Sequence, residues 1–340
     1  MADQVKKTSM RNTYGDTLAR LGKKNTNIVV LDGDLAKSTQ TARFGKVFPE
    51  RFFDMGVAEQ DMMATAAGLA AAGMNPFAST FAMFGSGRPW EQIRNSIAYP
   101  NLPVKIVVTH AGISVGADGP THQACEDMAI IRALPNMKIV APADSVETEK
   151  LIEFLAGYYD SPVYVRIARM TTPVVFGNDY KFEFGRAKII KKGKDITIIS
   201  TGVMLFQSLK AYEILKKKGI SAEIIHMPTI KPIDGKTIAE SAKKTGKIIT
   251  IEEHTVIGGL GSAVSEVLTD KCPALLRRIG INDLFAESGE PDQLFEKYGL
   301  TDKNIVKVAV QMLRDQRLEI SKTKKKKKAK ENKKKAKKKK

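Results

Sequence analysis

Short apolar runs alternate with segments of helical periodicity from residue 10 to residue 170, and this alternation constrains the fold of the chain most strongly. The runs are rich in Val, Ile and Phe, which favour strands. Because parallel strands need a long crossover, usually a helix, the pattern predicts a parallel sheet with helices on both faces. The predicted strands are 27–31, 51–55, 76–81, 104–109, 138–142 and 163–167. The predicted helices are 14–21, 59–72, 89–98, 126–133 and 146–158.

A second unit with the same alternation follows residue 194. Its predicted strands are 196–200, 222–226 and 248–252, and its predicted helices are 205–217, 236–243, 260–268 and 292–297. Pro173 and several glycines interrupt the segment between the units, which we interpret as a linker with a short strand inside. We therefore predict an α/β fold of two three-layer α/β domains, each with a mostly parallel sheet. The expected bounds are 8–172 for the first domain, 173–194 for the linker, 195–315 for the second domain and 320–340 for a tail.

The chain has 340 residues, of which 43% are hydrophobic and 27% charged, enough for two domains with cores of their own. This composition excludes a chain that is disordered throughout. No stretch approaches the roughly 18 consecutive apolar residues of a membrane span, and residues 1–7 lack the apolar core of a signal peptide. Two cysteines, Cys125 and Cys272, cannot form a disulfide framework or a cysteine-rich zinc site. We therefore expect a protein of the reducing cytoplasm with no membrane partner.

Most of the formal net charge of +18 lies in one segment. Ser321–Lys340 contains fourteen lysines and one acid, which leaves a net charge of only +5 on the remainder. Such a block repels itself and has nothing to bury, so it is predicted to be disordered. It has neither arginine nor aromatic residues, so we expect it to bind nucleic acid only non-specifically.

An acid stands where a predicted strand gives way to a long apolar helix. Residues 56–60 read Gly-Val-Ala-Glu-Gln, and Glu59 is the first residue of the predicted helix. Ligands of α/β sheets tend to bind at the carboxyl ends of parallel strands, which makes Glu59 a candidate site residue. The alternative is that Glu59 only complements the positive end of the helix dipole.

Two aromatic residues and a polar loop follow the next strands. Phe81 and Phe84 are three residues apart, so both rings can project from one side of a turn, and packing in the core is the alternative. A glycine-rich loop then carries His110, Asp118 and His122. Their spacing of eight and four on a loop does not favour a zinc site. We instead expect them to recognise a hydroxylated, phosphorylated substrate.

These segments together resemble the pyrimidine-binding domain of the transketolase family of thiamine diphosphate enzymes. The most specific motif is Asp-Gly-Pro-Thr-His-Gln at 118–123. The second unit, with Ile-Lys-Pro-Ile-Asp from Ile230 and Glu-Glu-His-Thr-Val-Ile-Gly-Gly-Leu-Gly from Glu252, resembles the C-terminal domain of that family. In the family this second domain is mainly structural and lies at a dimer interface. The resemblance covers about residues 8–315.

The resemblance implies a role for each cofactor-binding position. Glu59 matches the glutamate that hydrogen-bonds a ring nitrogen of the aminopyrimidine and so activates thiamine diphosphate, which makes it a catalytic residue. Phe81 and Phe84 match the aromatic wall that stacks on the pyrimidine. Asp34 aligns with an aspartate near the thiazolium ring.

The resemblance also implies a set of substrate contacts. His110, Asp118 and His122 match residues that contact sugar hydroxyls and the phosphate end, and both histidines are predicted to be catalytic by holding or moving protons. Three further positions match phosphate contacts: Arg11, Ser38 and Arg169. For each, the alternative is a polar side chain at the surface that contacts no ligand.

One part of a complete transketolase has no counterpart in this chain. The family grips the diphosphate through a metal site with the signature Gly-Asp-Gly and a downstream asparagine, but here Gly33 is followed by Asp34 and Leu35. We therefore predict no metal site on this chain. Magnesium is expected on a separate N-terminal subunit, and because the active site of the family lies between the two domains, the pair is expected to form an α2β2 assembly.

Related families differ at informative positions. Deoxyxylulose-phosphate synthases usually carry an acid at the position of His110 and read Gly-Gln-Thr-His where this chain has Gly-Pro-Thr-His, and pyruvate dehydrogenase β subunits lack the 118–123 motif. The chain departs from longer transketolases at Gly87 and Ala111, which leaves the stacking and the donor open. We predict a C-terminal transketolase subunit that transfers a two-carbon ketol unit from a ketose phosphate to an aldose phosphate. The alternatives are a synthase-like or specialised sugar ketol transferase subunit, and a non-catalytic scaffold associated with nucleic acid.

Overall fold

The computed structural model describes residues 6–315 of the chain. The lysine-rich segment 320–340, predicted to be a disordered tail, lies outside the described residues. The strands are β1 (Lys7–Thr8), β2 (Ile28–Asp32), β3 (Phe52–Asp54), β4 (Asn75–Phe81), β5 (Lys105–Thr109), β6 (Lys138–Val140), β7 (Val163–Arg166), β8 (Thr172–Pro173), β9 (Lys188–Lys191), β10 (Ile196–Ser200), β11 (Ala222–His226), β12 (Thr229–Lys231), β13 (Lys247–Thr255) and β14 (Leu275–Ile281).

Helices connect most of these strands. They are α1 (Met10–Gly22), α2 (Ala36–Thr39), α3 (Ala42–Val47), α4 (Glu59–Ala71), α5 (Ala82–Gly87), α6 (Trp90–Gln92), α7 (Asp127–Arg132), α8 (Ser145–Leu155), α9 (Met204–Lys217), α10 (Gly235–Thr245), α11 (Leu260–Lys271), α12 (Pro291–Lys297) and α13 (302–315). Short 3₁₀ turns cover Pro49–Arg51 and Ile113–Asp118, and a π-helical turn covers Ile93–Ala98.

The first sheet has the strand order β12-β6-β7-β5-β4-β2-β3, and all its pairs are parallel except that of β12 with β6. Every residue of β2, β4 and β5 is buried. Neighbouring residues of one strand enter different cores: Val30 packs with helices α1 and α8, whereas Leu31 packs with helix α4. This alternation places helices on both faces of the sheet.

The second sheet has the order β14-β13-β10-β11-β9, with only β9 antiparallel. In this sheet too, neighbouring residues of one strand pack on opposite faces. Ile198 packs against α9, and Ile199 packs against α10 and α11. The predicted α/β class with mostly parallel sheets is confirmed, and β9 is a short strand inside the predicted linker.

Some elements differ from the prediction. Strand β12 belongs to the first sheet although its residues follow β11 of the second, and three residues are too few to show a periodicity. Strand β14 was missed because its first four residues are exposed or partly exposed and include two arginines. The predicted helix at 89–98 is broken into α6 and a π-helical turn. The helices among residues 6–315 are too short or too polar to span a bilayer.

Buried polar contacts join the two units. Glu147 at the start of α8 lies 2.7 Å from His226 Nε2 at the end of β11, and both side chains are fully buried. Asp144 caps α8 through the backbone N–H of Glu147, and its other oxygen accepts from the amides of Val175 and Phe176. A capping residue thus also holds the connecting segment against the first unit.

Candidate active site

Glu59 begins helix α4 at the carboxyl edge of the first sheet. Its side chain is 2% exposed, although the preceding Ala58 supplies no side-chain cap to the helix. The carboxylate lies beside the positive end of the α4 dipole, which favours negative charge there. The structure therefore holds a buried acid at the predicted helix start.

Arg88 binds this carboxylate. Its Nη1 lies 3.0 Å from Oε1 and 3.0 Å from Oε2 of Glu59. Its guanidinium carbon also lies 4.3 Å from the centroid of the Phe84 ring, which is a cation–π contact. The Arg88 side chain is 48% exposed, so it closes the site from the solvent side. Sequence reasoning missed Arg88, although it follows Phe84 by four residues, the spacing of neighbours on a helical turn.

Gly33 lies beside the Glu59 carboxylate. A Cβ atom at Gly33 would be in ordinary van der Waals contact with Thr80 Oγ1 at 3.4 Å and with Glu59 Oε1 at 3.7 Å. The hydroxyl of Thr80 is buried and, within residues 6–315, has no hydrogen-bond partner. A buried polar atom without a partner beside a carboxylate suits a ligand with polar edge atoms.

Aromatic and imidazole rings form the wall next to Glu59. Phe81 and Phe84 stack with centroids 5.9 Å apart and planes at 17°. His110 stacks on Phe81 with centroids 3.7 Å apart, and His122 meets the Phe84 ring edge-on at 5.2 Å. The structure thus brings together four of the residues that the sequence predicted for the site.

His110 is held in one orientation at the end of β5. Its backbone is in the left-handed region at φ 57°, and Nδ1 lies 2.8 Å from the hydroxyl of Thr109. The side chain is 3% exposed. Burial, together with the positive charges of Arg11 and Arg169 and the nearby His122, lowers the pKa of His110 to about 3. His110 is therefore neutral near pH 7 and can accept or donate a hydrogen bond.

Two arginines approach this histidine from different segments. Arg11 on α1 donates from Nη1 to the Ser38 carbonyl oxygen at 2.6 Å, and Arg169 donates from Nη1 to the Val115 carbonyl oxygen at 3.0 Å. Burial and the charge of Arg169 lower the pKa of Arg11. Arg11 Nε is buried and has no partner among the described residues. Two guanidinium groups that repel each other suit an anion between them.

The two predicted aspartates are exposed, and no contact joins either carboxylate to Glu59 or His110 within residues 6–315. Asp34 is exposed, has φ 62°, and donates its backbone N–H to Asp54 Oδ1 at 3.1 Å. Asp118 is exposed at the end of the Ile113–Asp118 turn. Ser38 joins the site through its carbonyl oxygen, which accepts from Arg11.

A buried aspartate that sequence reasoning did not select shapes the loop carrying Asp34 and Ser38. Asp32 accepts hydrogen bonds at 2.7 Å each from the Leu35 amide and the hydroxyls of Thr39 and Thr41. Burial raises the pKa of Asp32 to about 6. Its position as the last residue of a buried strand is the signal that could have indicated it.

The residues present fit an aminopyrimidine better than a metal. A buried carboxylate, a flat aromatic wall and a buried Thr80 hydroxyl without a partner among the described residues match a planar heterocycle with polar ring atoms. By contrast, no group of three or more His, Cys, Asp or Glu side chains in the described part of the chain is arranged to hold a metal ion.

Comparison with known proteins assigns the chain. The family model of the transketolase pyrimidine-binding domain matches residues 6–174, and that of the transketolase C-terminal domain matches residues 185–305. The chain belongs to the transketolase family. The two matched domains are the ones that the sequence predicted.

Three relatives of this transketolase-family chain illustrate the match. A protein of Methanocaldococcus jannaschii named as a transketolase C-terminal section is 52% identical over 310 residues, which cover 90% of this chain and 97% of that protein. A 6-deoxy-6-sulfo-D-fructose transketolase subunit of a Clostridium species is 41% identical over 88% of this chain and 93% of its own length. A solved structure described as a split gene transketolase, an inactive β4 tetramer, has a TM-score of 0.84 and 49% identity, covering 90% of this chain and 98% of its own.

Proposed function

We propose that the chain is the C-terminal subunit of a transketolase that uses thiamine diphosphate to transfer a two-carbon ketol unit from a ketose phosphate to an aldose phosphate. The observation that carries this proposal is the buried carboxylate of Glu59 at the start of α4, next to the stacked rings of Phe81 and Phe84. When bound, thiamine diphosphate supplies a nucleophilic carbon and an electron sink.

Glu59 has one task in this function. Its carboxyl group shares a proton with a ring nitrogen of the aminopyrimidine, and Arg88, which binds both of its oxygens, releases at least one of them for that contact. Release is feasible because the Arg88 side chain is half exposed and can move into solvent. Phe81 and Phe84 would present flat apolar surface to the ring, and Asp34 would be a further cofactor contact, as the resemblance implies.

The polar residues around His110 bind the sugar. Arg11 and Arg169, with Ser38 beside them, hold the phosphate end, because a guanidinium group pairs well with a dianion. The neutral imidazole of His110 holds or moves a hydroxyl proton, and His122 and Asp118 contact further hydroxyls.

The function also requires a second polypeptide. We assign the diphosphate and its Mg²⁺ to an N-terminal subunit that carries the Gly-Asp-Gly signature, in an α2β2 assembly in the cytoplasm. The split-gene neighbour, whose β chains alone are described as an inactive tetramer, supports this division of labour. The exposed residues of the segments 56–60 and 118–123 are expected to face that partner: Val57, Gln60, Asp118, Pro120 and Thr121.

A specialised donor sugar is the second candidate. The 41% identity with a 6-deoxy-6-sulfo-D-fructose transketolase subunit favours it, because a pair of arginines binds a sulfonate by the same hydrogen bonds as a phosphate. A synthase-like subunit is the weaker candidate, because identity with a 1-deoxy-D-xylulose-5-phosphate synthase is 36%. The nucleic-acid-scaffold alternative rests on the lysine-rich segment, which lies outside the described residues.

Reconstitution tests the proposal. The chain is combined with its N-terminal subunit, thiamine diphosphate and Mg²⁺, and transfer is measured from xylulose 5-phosphate or a sulfonated ketose to ribose 5-phosphate. Glu59→Gln is expected to lower kcat/KM by at least about a hundredfold, since it cannot share the proton. Asp61→Asn is the matched control, because Asp61 is exposed in the same first turn of α4. Unchanged turnover in the Glu59 variant would refute the assigned role.

A further inference from the structure

Two neighbouring glutamates of β13 have opposite orientations. Successive side chains of a strand point to opposite faces, so Glu252 and Glu253 enter different surroundings. Glu252 accepts hydrogen bonds from the amides of Leu260 at 2.7 Å and Gly261 at 2.8 Å, at the start of α11 in its own unit. Glu253 points the other way, and its Oε1 accepts from the Ser114 amide of the first unit at 2.6 Å.

The Glu253 carboxylate contacts and supports the loop that carries the predicted sugar contacts. A Cβ atom at Gly112, where φ is +77°, would lie 2.4 Å from Glu253 Oε1, so only glycine allows the backbone to approach this closely. The same loop touches the second unit again near its end, where a Cβ atom at Gly119 would lie 2.4 Å from Ser288 Oγ. Gln123 Nε2 then donates to the Glu287 carbonyl oxygen at 3.0 Å.

Arg166, at the end of β7 in the first sheet, stabilises the contact between Glu253 and the loop. Its Nη2 donates to the Glu253 carbonyl oxygen at 2.9 Å and to the Ala124 carbonyl oxygen at 3.1 Å, and its Nε donates to Asp127. Both Arg166 and Glu253 are buried. Burial raises the pKa of Glu253 to about 7, although Arg166 and the Ser114 amide act in the opposite direction. These hydrogen bonds fix the backbone of Glu253, and its side chain is bonded to the loop.

We propose that Glu253 is a positioning residue of the sugar site: through the Ser114 amide it sets the conformation of the loop between His110 and Asp118. The second unit then shapes substrate recognition, beyond the mainly structural role that its family resemblance implied. The inference deepens the function proposed above, on which the substrate part of it rests.

Hydrogen exchange of the full chain and kinetics of the reconstituted pair test this role together. In Glu253→Ala, amide exchange in peptides covering 110–118 is expected to rise about tenfold to hundredfold, because the Ser114 amide loses its buried acceptor. KM for the sugar is expected to rise about tenfold with a smaller change in kcat. Glu253→Gln keeps a carbonyl acceptor and is expected to restore both values to within about threefold of wild type.

Glu252→Ala is the matched control. Glu252 is also buried on β13 and loses two amide bonds, but these bonds hold α11 and not the loop. It is expected to loosen the 260–262 region and to leave exchange in 110–118 as in wild type. Loop exchange that is unchanged in Glu253→Ala, or raised equally in Glu252→Ala, overturns the positioning role. If the reconstituted wild-type pair shows no turnover, the proposed function is overturned. Hydrogen exchange in 110–118 still decides whether Glu253 fixes the loop.

Discussion

Arg88 grips both carboxylate oxygens of Glu59 through a single nitrogen, Nη1, at 3.0 Å each, across 29 positions of sequence. One partner is almost fully buried and the other half exposed. The pair therefore combines a desolvated acid with a cation that water still screens. The pair is strong because the acid is buried and because no other charged side chain in the described structure lies as near to the Glu59 carboxylate.

Replacing Arg88 tests the strength of this pair. Arg88→Met keeps a long apolar stem over Phe84 but leaves the buried Glu59 carboxylate without its cation. We expect the free energy of unfolding to fall by about 1–2 kcal/mol, at the low end for a buried partner because Arg88 is screened. Urea unfolding of the single variants and of Glu59→Gln with Arg88→Met gives the coupling energy. Arg94→Met, at an exposed arginine nearby, is the control, and zero coupling would contradict the pairing.

His110 gives a pH dependence with a definite sign. Its pKa is about 3 in the folded chain and 6.5 ordinarily, so the unfolded chain binds more protons between these values. The contribution of His110 to stability is therefore complete above about pH 6.5 and is lost as the pH falls toward 3. His110→Gln should reduce the pH slope of the unfolding free energy across that window. An imidazolium signal from His110 at pH 5.5 in a ¹⁵N NMR spectrum would disprove the expectation.

The buried pair of Glu147 and His226 should stabilise the contact between the two units. His226→Ala leaves the Glu147 carboxylate buried without the imidazole, although the Ala143 amide and the Tyr180 hydroxyl still donate to it. We expect a loss of about 3 kcal/mol in denaturant unfolding. His122→Ala, at a partly exposed ring of the rim, should cost far less, and equal losses would argue against a special role for the buried pair.

Arg169 should discriminate by charge. In the reconstituted pair, Arg169→Gln is expected to raise KM for a phosphorylated ketose about tenfold or more, because it removes a charged hydrogen-bond donor to the anionic end. KM for the same ketose without phosphate should change little. Equal effects on both substrates would show that Arg169 does not contact the anion, and a larger effect on a sulfonated ketose would favour the specialised donor.

Local patterns predicted much of the fold. Ile196–Ser200 and Ala222–His226 have the predicted bounds, because short β-branched runs between breakers leave little freedom in where a strand begins and ends. Strand β12 could not be predicted, since it joins the first sheet by an antiparallel pairing that depends on tertiary packing rather than on its three residues. The domain bounds at 8–172, 173–194 and 195–315 stay a prediction.

Some residues of the candidate site could likewise be predicted from the sequence, and others could not. Glu59 as the first residue of α4, and the aromatic pair Phe81 and Phe84, could be placed from sequence because a helix start and a three-residue spacing are local. Local signals existed for Arg88, four residues after Phe84, and for Asp32, at the end of a buried strand, but their partners Glu59 and Thr39 are set by tertiary contacts that no local pattern specifies.

The sequence by itself determined the alternation of strands and helices, the acid at the start of α4 and the glycine-rich loop after β5. Only the tertiary structure decided which groups meet: Arg88 with Glu59, and Glu253 with Ser114 across 139 positions. The physical reason is that periodicity depends on hydrogen bonds and burial within one element. Contacts between elements depend instead on strand order and on which face each side chain takes once both sheets have formed.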